Sequence, residues 1–391
     1  MEQSKIAEIV RNYRLTEGEY VMRPTMPALE DYTSYLRGIW DRRMLTNDAV
    51  LHQELELRLR EYLGTEYLAL LSNGTLALMI ALRALNIDAG EVITTPFTFP
   101  ATTHVLSWSG VTPVFCDVDP ITFNIDATQI AGHISSRTKA ILAVHVFGTP
   151  CDTAVIQAVA DRYGLYVIYD AAHAFGVKYR GRSIVEYGDM AMLSFHATKV
   201  FSTIEGGALV CRTPAQNRRI KLLKDFGISA ESEVIEPGIN AKLDEFRAAF
   251  GLLNLPRIES EIASRKRISL IYRERLMGMP GLRFLPVLDE VEANFCYFPI
   301  LVNNSEFGMT RDELNDLLRE CNVMSRKYFC PLMSRVACYV ALPSASPANL
   351  PRAEILSNQV LCLPIYGTLQ VSTVHQVCDI IEAGYLCQRC R

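Results

Sequence analysis

The stretch that decides the fold runs Asp189-Met-Ala-Met-Leu-Ser-Phe-His-Ala-Thr-Lys199-Val-Phe-Ser-Thr-Ile-Glu-Gly-Gly-Ala208. Met190 to Phe195 is a short apolar run that reads as a buried strand. Lys199 sits just past its end, among small and hydroxylated residues. Glu205-Gly206-Gly207 follows, and the chain then re-enters an apolar run, Ala208 to Cys211. Upstream, Leu165-Tyr-Val-Ile-Tyr-Asp170 reads as another buried strand, and it ends on a carboxylate. A lysine and an aspartate therefore stand at the ends of two strands.

Outward from this pair the chain alternates. Strand-like runs fall at 67–71, 91–95, 112–118, 139–147, 165–169 and 190–195. Helical patterns fall between them at 75–85, 101–109 and 152–163, the last with the stripe Ala154, Val155, Ala158, Val159. Such alternation predicts βαβ units and a mostly parallel sheet, with ligands at the carboxyl ends of the strands. Before it, Leu55, Leu59 and Tyr62 repeat at helical spacing within 51–63, and Gly64 stops that helix. Residues 15–50 read as a mixed segment with Pro24, Pro27 and the polar turn Thr46-Asn47-Asp48.

Beyond residue 242 the pattern changes. Lys242 to Met279 is a long helical stretch in which Pro256 marks a kink or break. Strand-like 295–302, helical 310–321, a Ser/Ala/Pro-rich loop at 342–351 and helical 372–386 complete the chain. The expected architecture is α/β: a large domain over 1–250, N-terminal segment included, and a smaller C-terminal α/β domain over 251–391. No low-complexity linker separates them, so rigid packing is expected.

Bulk composition narrows the class. Of 391 residues, 49% are hydrophobic and 21% charged, as in a soluble globular enzyme. A net charge of −4 gives no reason to expect nucleic acid as a partner. No apolar run approaches the ~20 residues of a membrane span, and Met1-Glu-Gln-Ser-Lys5 lacks the apolar core of a signal peptide. Eleven cysteines, an odd number spread through strands and helices, fit reduced thiols and a cytoplasmic location. Cys387-x-x-Cys390 has no second pair and no clustered histidine, so no metal site is expected.

The lysine–aspartate pair suggests a pyridoxal phosphate site. The lysine would hold the cofactor as a Schiff base, and Asp170 would keep the pyridine nitrogen protonated. A strand-end aspartate also simply caps helices. The small residues of Ala171-Ala-His173-Ala-Phe-Gly176 favour the site, because they leave room for a ring near the backbone. A phosphate needs amides, hydroxyls and a helix N-terminus. Ser72-Asn-Gly74-Thr75 offers them, although the same residues make an ordinary turn. Ser194 could add a hydroxyl. Phe99, in the turn Thr95-Pro-Phe-Thr-Phe-Pro-Ala-Thr102, could stack on the ring or be plain core. His173 is favoured near the ring oxygen; His145 and His196 could line the pocket or merely be packed.

In these motifs the chain resembles the DegT/DnrJ/StrS family of pyridoxal phosphate-dependent nucleotide-sugar aminotransferases. The resemblance rests on Asp170-Ala-Ala-His173-Ala, Ser194-Phe-His-Ala-Thr-Lys199 and Glu205-Gly206-Gly207. It extends to Ser72-Asn-Gly-Thr75, Pro96 to Thr102, Gly238-Ile-Asn240, Leu243 to Ala249, Tyr328-Phe-Cys-Pro331 and Leu361-Cys-Leu-Pro364. It covers nearly the whole chain in order. Ser-Phe-His-Ala-Thr-Lys-Val-Phe is most similar to the 4-aminotransferases that make dTDP-viosamine-type sugars.

The resemblance implies a fold type I aminotransferase and a homodimer with shared sites. It implies a nucleotide-linked 4-keto-6-deoxyhexose as substrate and an amino acid donor, expected to be L-glutamate. It makes Lys199 the Schiff-base lysine and proton carrier, Asp170 the partner of the pyridine nitrogen, and His173 the contact to the ring hydroxyl. Gly74, Thr75 and Ser194 would hold the phosphate, Phe99 would stack on the ring, and Asn240 would reach the phosphate of the neighbouring subunit. A 3-keto sugar or a cyclitol is the alternative substrate. A sugar dehydratase would lack the lysine, and a non-catalytic binding protein would not need the intact pair. Two segments depart from the family pattern: Asp48-Ala-Val50, where a glycine is usual, and Met333, where many members carry histidine.

Overall fold

The computed structural model describes residues 2–229 and 231–389. Its centre is a seven-stranded sheet in the order 67–71, 207–211, 190–194, 166–170, 138–144, 91–94, 112–115. All neighbours are parallel except Gly207–Cys211, which runs antiparallel between Tyr67–Leu71 and Met190–Ser194. The central strands are buried on both faces, which is why they read as continuous apolar runs rather than alternating ones. Helices Gly74–Ala84, Pro100–Trp108 and Thr153–Tyr163 connect the parallel strands as predicted. The strands Thr112–Phe115, Thr138–Val144 and Phe298–Val302 stop or start two or more residues inside the expected runs. The strand ends at Val144, and a short turn over Val146–Gly148 follows with Phe147 in the left-handed region, φ 55°.

The long helical stretch is two helices, Glu245–Asn254 and Ile258–Leu276, joined by the tight turn Leu255–Arg257. Pro256 sits in that turn, where its missing N–H costs nothing. Asp244 caps the first helix by accepting from Arg247 N, and the buried Glu245 accepts the amides of Leu51 and His52 at 3.2 and 2.8 Å. One carboxylate thus ties the start of the helix Val50–Leu63 to the interdomain helix.

The smaller unit is built on the antiparallel sheet Leu282–Phe284, Phe298–Val302, Val360–Leu363. Helices Arg311–Glu320, Pro351–Gln359 and Val371–Arg389 belong to it, the second beginning inside the expected loop at 342–351. Two helices that periodicity did not reveal are Glu2–Tyr13, ahead of the mixed segment, and Leu29–Arg42, within it. The first packs on Val371–Arg389. Glu19–Tyr20 then pairs in parallel with Val323–Met324. Glu2–Tyr13 and Glu19–Tyr20 thus both contact elements of the smaller unit.

A buried ion pair within the helix Ile258–Leu276 ties that helix to distant segments. Arg265 Nε donates to Glu261 Oε1 at 2.6 Å, with both side chains buried. The same guanidinium reaches the carbonyls of Cys296 and Ile365. Glu261 also accepts from Thr25 and from the amide of Gly367.

Candidate active site

One cavity of about 240 Å³ opens where the sheet strands end. Gly74, Thr75, Phe99, Asp170, His173, Ser194 and Lys199 all line it. Tyr297, Tyr328 and Phe329 close it from the smaller unit. Strand topology explains the convergence: 166–170 and 190–194 are adjacent and parallel, so their carboxyl ends deliver Asp170 and, a few residues later, Lys199 to the same edge.

The helix Gly74–Ala84 starts against this cavity. Asn73 caps it, its side chain accepting from Leu76 N at 2.8 Å. That cap leaves the amides of Gly74 and Thr75 with no acceptor among the described residues. Two free first-turn amides at a helix N-terminus are an anion site. Side-chain volume is excluded there. A Cβ on Gly74 would lie 2.9 Å from Met192 Sδ and 3.3 Å from Ser194 Cβ, which also places Ser194 beside the turn.

Asp170 is buried, yet its carboxylate is held by two donors. Thr102 Oγ1 donates to Oδ2 at 2.7 Å, and Ala172 N donates to Oδ1 at 3.0 Å. Burial pushes its carboxyl up from the ordinary range, while these bonds and Lys199 pull it down. Burial likewise lowers the Lys199 ammonium, opposed by Cys296 and Asp170. A lysine so lowered reaches its neutral, nucleophilic form more readily.

His173 is neutral by the same logic, lowered well below the usual value by burial and then by Lys199. Its Nδ1 accepts from Phe147 N at 3.2 Å, so the proton sits on Nε2. Asn294 fixes the backbone beneath it by donating to His173 O and Phe175 O. Phe99 is 57% exposed and is therefore not plain core; its neighbour Phe97 is fully buried against Phe123, Phe147 and Phe329.

His196 lines the cavity mouth. Its Nδ1 accepts from Thr198 N, and its Nε2 lies 3.5 Å from Glu205 Oε1. His145 does not line the cavity. It is fully buried, stacked on Tyr169 at 4.5 Å. Asn240 does not line this cavity either. It is exposed and bridges Asp225, although the next residue, Ala241, accepts from Ser72 N at 2.8 Å beside the phosphate turn.

The first departure from the family pattern has a physical account. Asp48 takes φ 54°, a conformation glycine adopts freely. It is held there by the fully buried Lys224, whose Nζ donates to Asp48 Oδ1 at 2.9 Å, and by His52 at 3.1 Å. Met333 is buried, and its amide donates to Pro96 O at 2.9 Å, anchoring the aromatic turn. Residues that the sequence reading missed are Thr98 and Thr102 beneath Asp170, and Tyr297 in the wall. The signal for the threonines was present: hydroxyls four apart in a segment that is otherwise apolar or small.

Among the described residues no group of His, Cys, Asp and Glu is arranged to hold a metal ion, and the described cysteines are free thiols. Cys390, half of the Cys387-x-x-Cys390 pair, lies outside the described residues. No helix among them is long and apolar enough to cross a membrane.

The residues fit pyridoxal phosphate: an anion turn whose glycine has no room for a Cβ, a buried carboxylate, and a lysine lining the same cavity. This is the arrangement of a fold type I pyridoxal phosphate enzyme. The DegT/DnrJ/EryC1/StrS aminotransferase family matches residues 29–382. The dTDP-4-amino-4,6-dideoxy-D-glucose transaminase of Escherichia coli is 44% identical over 364 residues, covering 92% of this chain and 97% of that protein. The protein of the same name from Shigella dysenteriae is 42% identical, over 93% and 98%. The crystal structure of DesI, determined in the presence of its TDP-sugar product, superposes with a TM-score of 0.92 at 32% identity, over 98% of this chain and 96% of DesI. The chain belongs to the DegT/DnrJ/EryC1/StrS family, and it is an aminotransferase that uses pyridoxal phosphate.

Proposed function

We propose that the enzyme aminates C4 of a dTDP-linked 4-keto-6-deoxyhexose, with dTDP-4-keto-6-deoxy-D-glucose as substrate and L-glutamate as donor. The supporting observation is the identity of 44% across nearly the full length of a dTDP-4-amino-4,6-dideoxy-D-glucose transaminase. The high overlap with DesI, whose product is a TDP-sugar, points the same way. The product would be the viosamine-type 4-amino sugar, a precursor for deoxyamino-sugar glycans. The free thiols of the described cysteines support a cytoplasmic location.

When bound, pyridoxal phosphate supplies the electron sink that makes proton removal next to nitrogen feasible. The amides of Gly74 and Thr75, with the hydroxyls of Thr75 and Ser194, bind its phosphate. Asp170 keeps the proton on the ring nitrogen. Lys199 Nζ would anchor the cofactor and, as a free amine, would take up and return a proton at the substrate carbon. His173 would offer its Nε2–H to the ring oxygen. Phe99 would stack on the ring. Tyr297, Tyr328 and Phe329 exclude water from the other wall.

We further propose a homodimer in which Asn240 of each subunit donates to the phosphate bound by the other. Exposure of Asn240 outside its own cavity, next to the strand-to-helix turn, supports this reading.

The test of the substrate is an assay against dTDP-, UDP- and GDP-linked 4-keto and 3-keto sugars with glutamate, with the position of the new amine read by NMR. A 4-amino product from the dTDP sugar is expected. Preference for a 3-keto sugar or a cyclitol would overturn the assignment.

A further inference from the structure

Beneath Asp170 two hydroxyls form a chain with one possible direction. Thr102 is fully buried, and its Oγ1 lies 2.7 Å from Asp170 Oδ2. Thr98, also buried, places its Oγ1 2.7 Å from Thr102 Oγ1. An ionised carboxylate only accepts, and a threonine has one O–H to give. Thr102 therefore spends its proton on Asp170, and Thr98 must donate to Thr102. Thr98 lies in the turn that enters the helix Pro100–Trp108 and also lines the cavity, and Thr102 lies in the first turn of that helix. The remaining donor, Ala172 N, occupies the other oxygen.

We propose that Thr98 and Thr102 form a relay of two hydroxyls that holds Asp170 ionised and aimed at the ring nitrogen of the cofactor. Thr102 is then a positioning residue for transamination, and Thr98 supports it. The inference rests on Asp170 being the ring-nitrogen partner.

The need for such a relay follows from the surroundings. The titratable groups that act on Asp170 or feel its charge are Lys199 and the buried thiol of Cys151. Cys151 is neutral, its thiol pushed up mainly by burial. Lys199 changes its bonding during each turnover, so its charge is not a constant support. Burial drives a carboxyl toward its neutral form, and a neutral Asp170 cannot hold a proton on the ring. Thr102 is the side-chain donor that stays in place. Hydrogen bonds to charged groups are the stronger class, and they strengthen along a chain inside a low-dielectric interior.

The test uses holoenzyme variants Thr102→Val, Thr102→Ser, Thr98→Val and the double valine variant, followed by the visible absorption of the lysine-bound cofactor across pH. A ring nitrogen that loses its proton makes the lysine-linked nitrogen more basic. Thr102→Val should move the titration midpoint upward by about one pH unit and lower kcat about tenfold, with both KM values within about twofold. Thr102→Ser should restore both. Thr98→Val should shift the midpoint in the same direction by less, and the double variant should match Thr102→Val, because Thr98 acts only through Thr102. An unchanged midpoint in folded Thr102→Val would overturn the relay. If that variant does not fold, an unchanged midpoint in Thr98→Val does so. Asp170→Asn separates the two readings: if its midpoint is also unchanged, the assignment of Asp170 itself fails, whereas a shift in Asp170→Asn alone sinks only the relay.

Discussion

Gly207 passes so close to the start of the helix Gly74–Ala84 that a Cβ on it would lie 2.6 Å from the carbonyl carbon of Asn73 and 2.8 Å from Gly74 N. The antiparallel strand Gly207–Cys211 thereby fixes how far the two free amides of the anion turn project into the cavity. The obstacle is backbone, not a flexible side chain. Gly207→Ala must displace the turn. Losing one charge-assisted bond to a phosphate is worth ~1.5–3 kcal/mol, so affinity for pyridoxal phosphate should fall roughly ten- to hundredfold. Titrating the apoenzyme with cofactor measures it directly, and affinity equal to wild type would show that the turn is not the phosphate site.

Lys199→Ala should abolish turnover and remove the visible band of lysine-bound cofactor. The phosphate turn and Asp170 remain, so the variant should still bind pyridoxamine phosphate, as equilibrium dialysis would show. Turnover in this variant at more than about a thousandth of wild type would contradict the assigned role, since both displacement and proton transfer need the amine.

Complementation checks the shared site. In a mixed dimer of Lys199→Ala and Asn240→Ala subunits, one site collects both defects and the other collects neither. Mixing the two impaired homodimers under conditions of subunit exchange should restore activity toward half of wild type per mixed dimer. Exchange without recovery would place Asn240 in its own subunit's function or in none. Asn240→Ala should itself bind cofactor more weakly while remaining dimeric.

Acid should destabilise the fold through buried histidine. His145 Nδ1 accepts from Cys151 N at 3.0 Å, while Nε2 finds no partner among the described residues. Burial lowers its pKa from 6.5 to about 3. Between these values the unfolded chain binds a proton that the folded chain does not, so stability is full above 6.5 and drains away as pH falls toward about 3. His52 and His173 are shifted in the same direction. The Tm of the apoenzyme should fall as pH drops from about 7 to about 5. His145→Asn, which keeps an acceptor for the Cys151 amide but cannot ionise, should show a shallower fall. Parallel curves would mean His145 is not the group responsible.

At Asp48 two effects oppose each other. Glycine there would relieve about 1 kcal/mol of left-handed strain. It would also deprive the buried Lys224 ammonium of its carboxylate, which costs about 2–3 kcal/mol even with His52 and Leu70 O still in reach. The second effect is larger, so Asp48→Gly should destabilise the protein by about 1–2 kcal/mol in urea unfolding. A gain in stability would show that the ion pair contributes less than the strain.

The sequence by itself determined the parallel sheet and its lysine and aspartate. Strands buried on both faces must be apolar throughout, and a charged residue at the end of such a run has to face an opening or a partner. Asp170 and Lys199 were legible for that reason. The break at Pro256 was legible because proline cannot continue a helix. Tertiary structure decided what depends on distant segments meeting. Glu2–Tyr13 and Leu29–Arg42 escaped the periodicity reading, and the first of them draws its partner from the far C-terminus. Glu19–Tyr20 finds its strand partner, Val323–Met324, about three hundred positions away. The Thr102–Asp170 bond joins residues 68 apart, and no local pattern encodes which hydroxyl a buried carboxylate will find. Only the fold, by bringing strand ends and helix starts to one edge, converts these separate polar residues into one site.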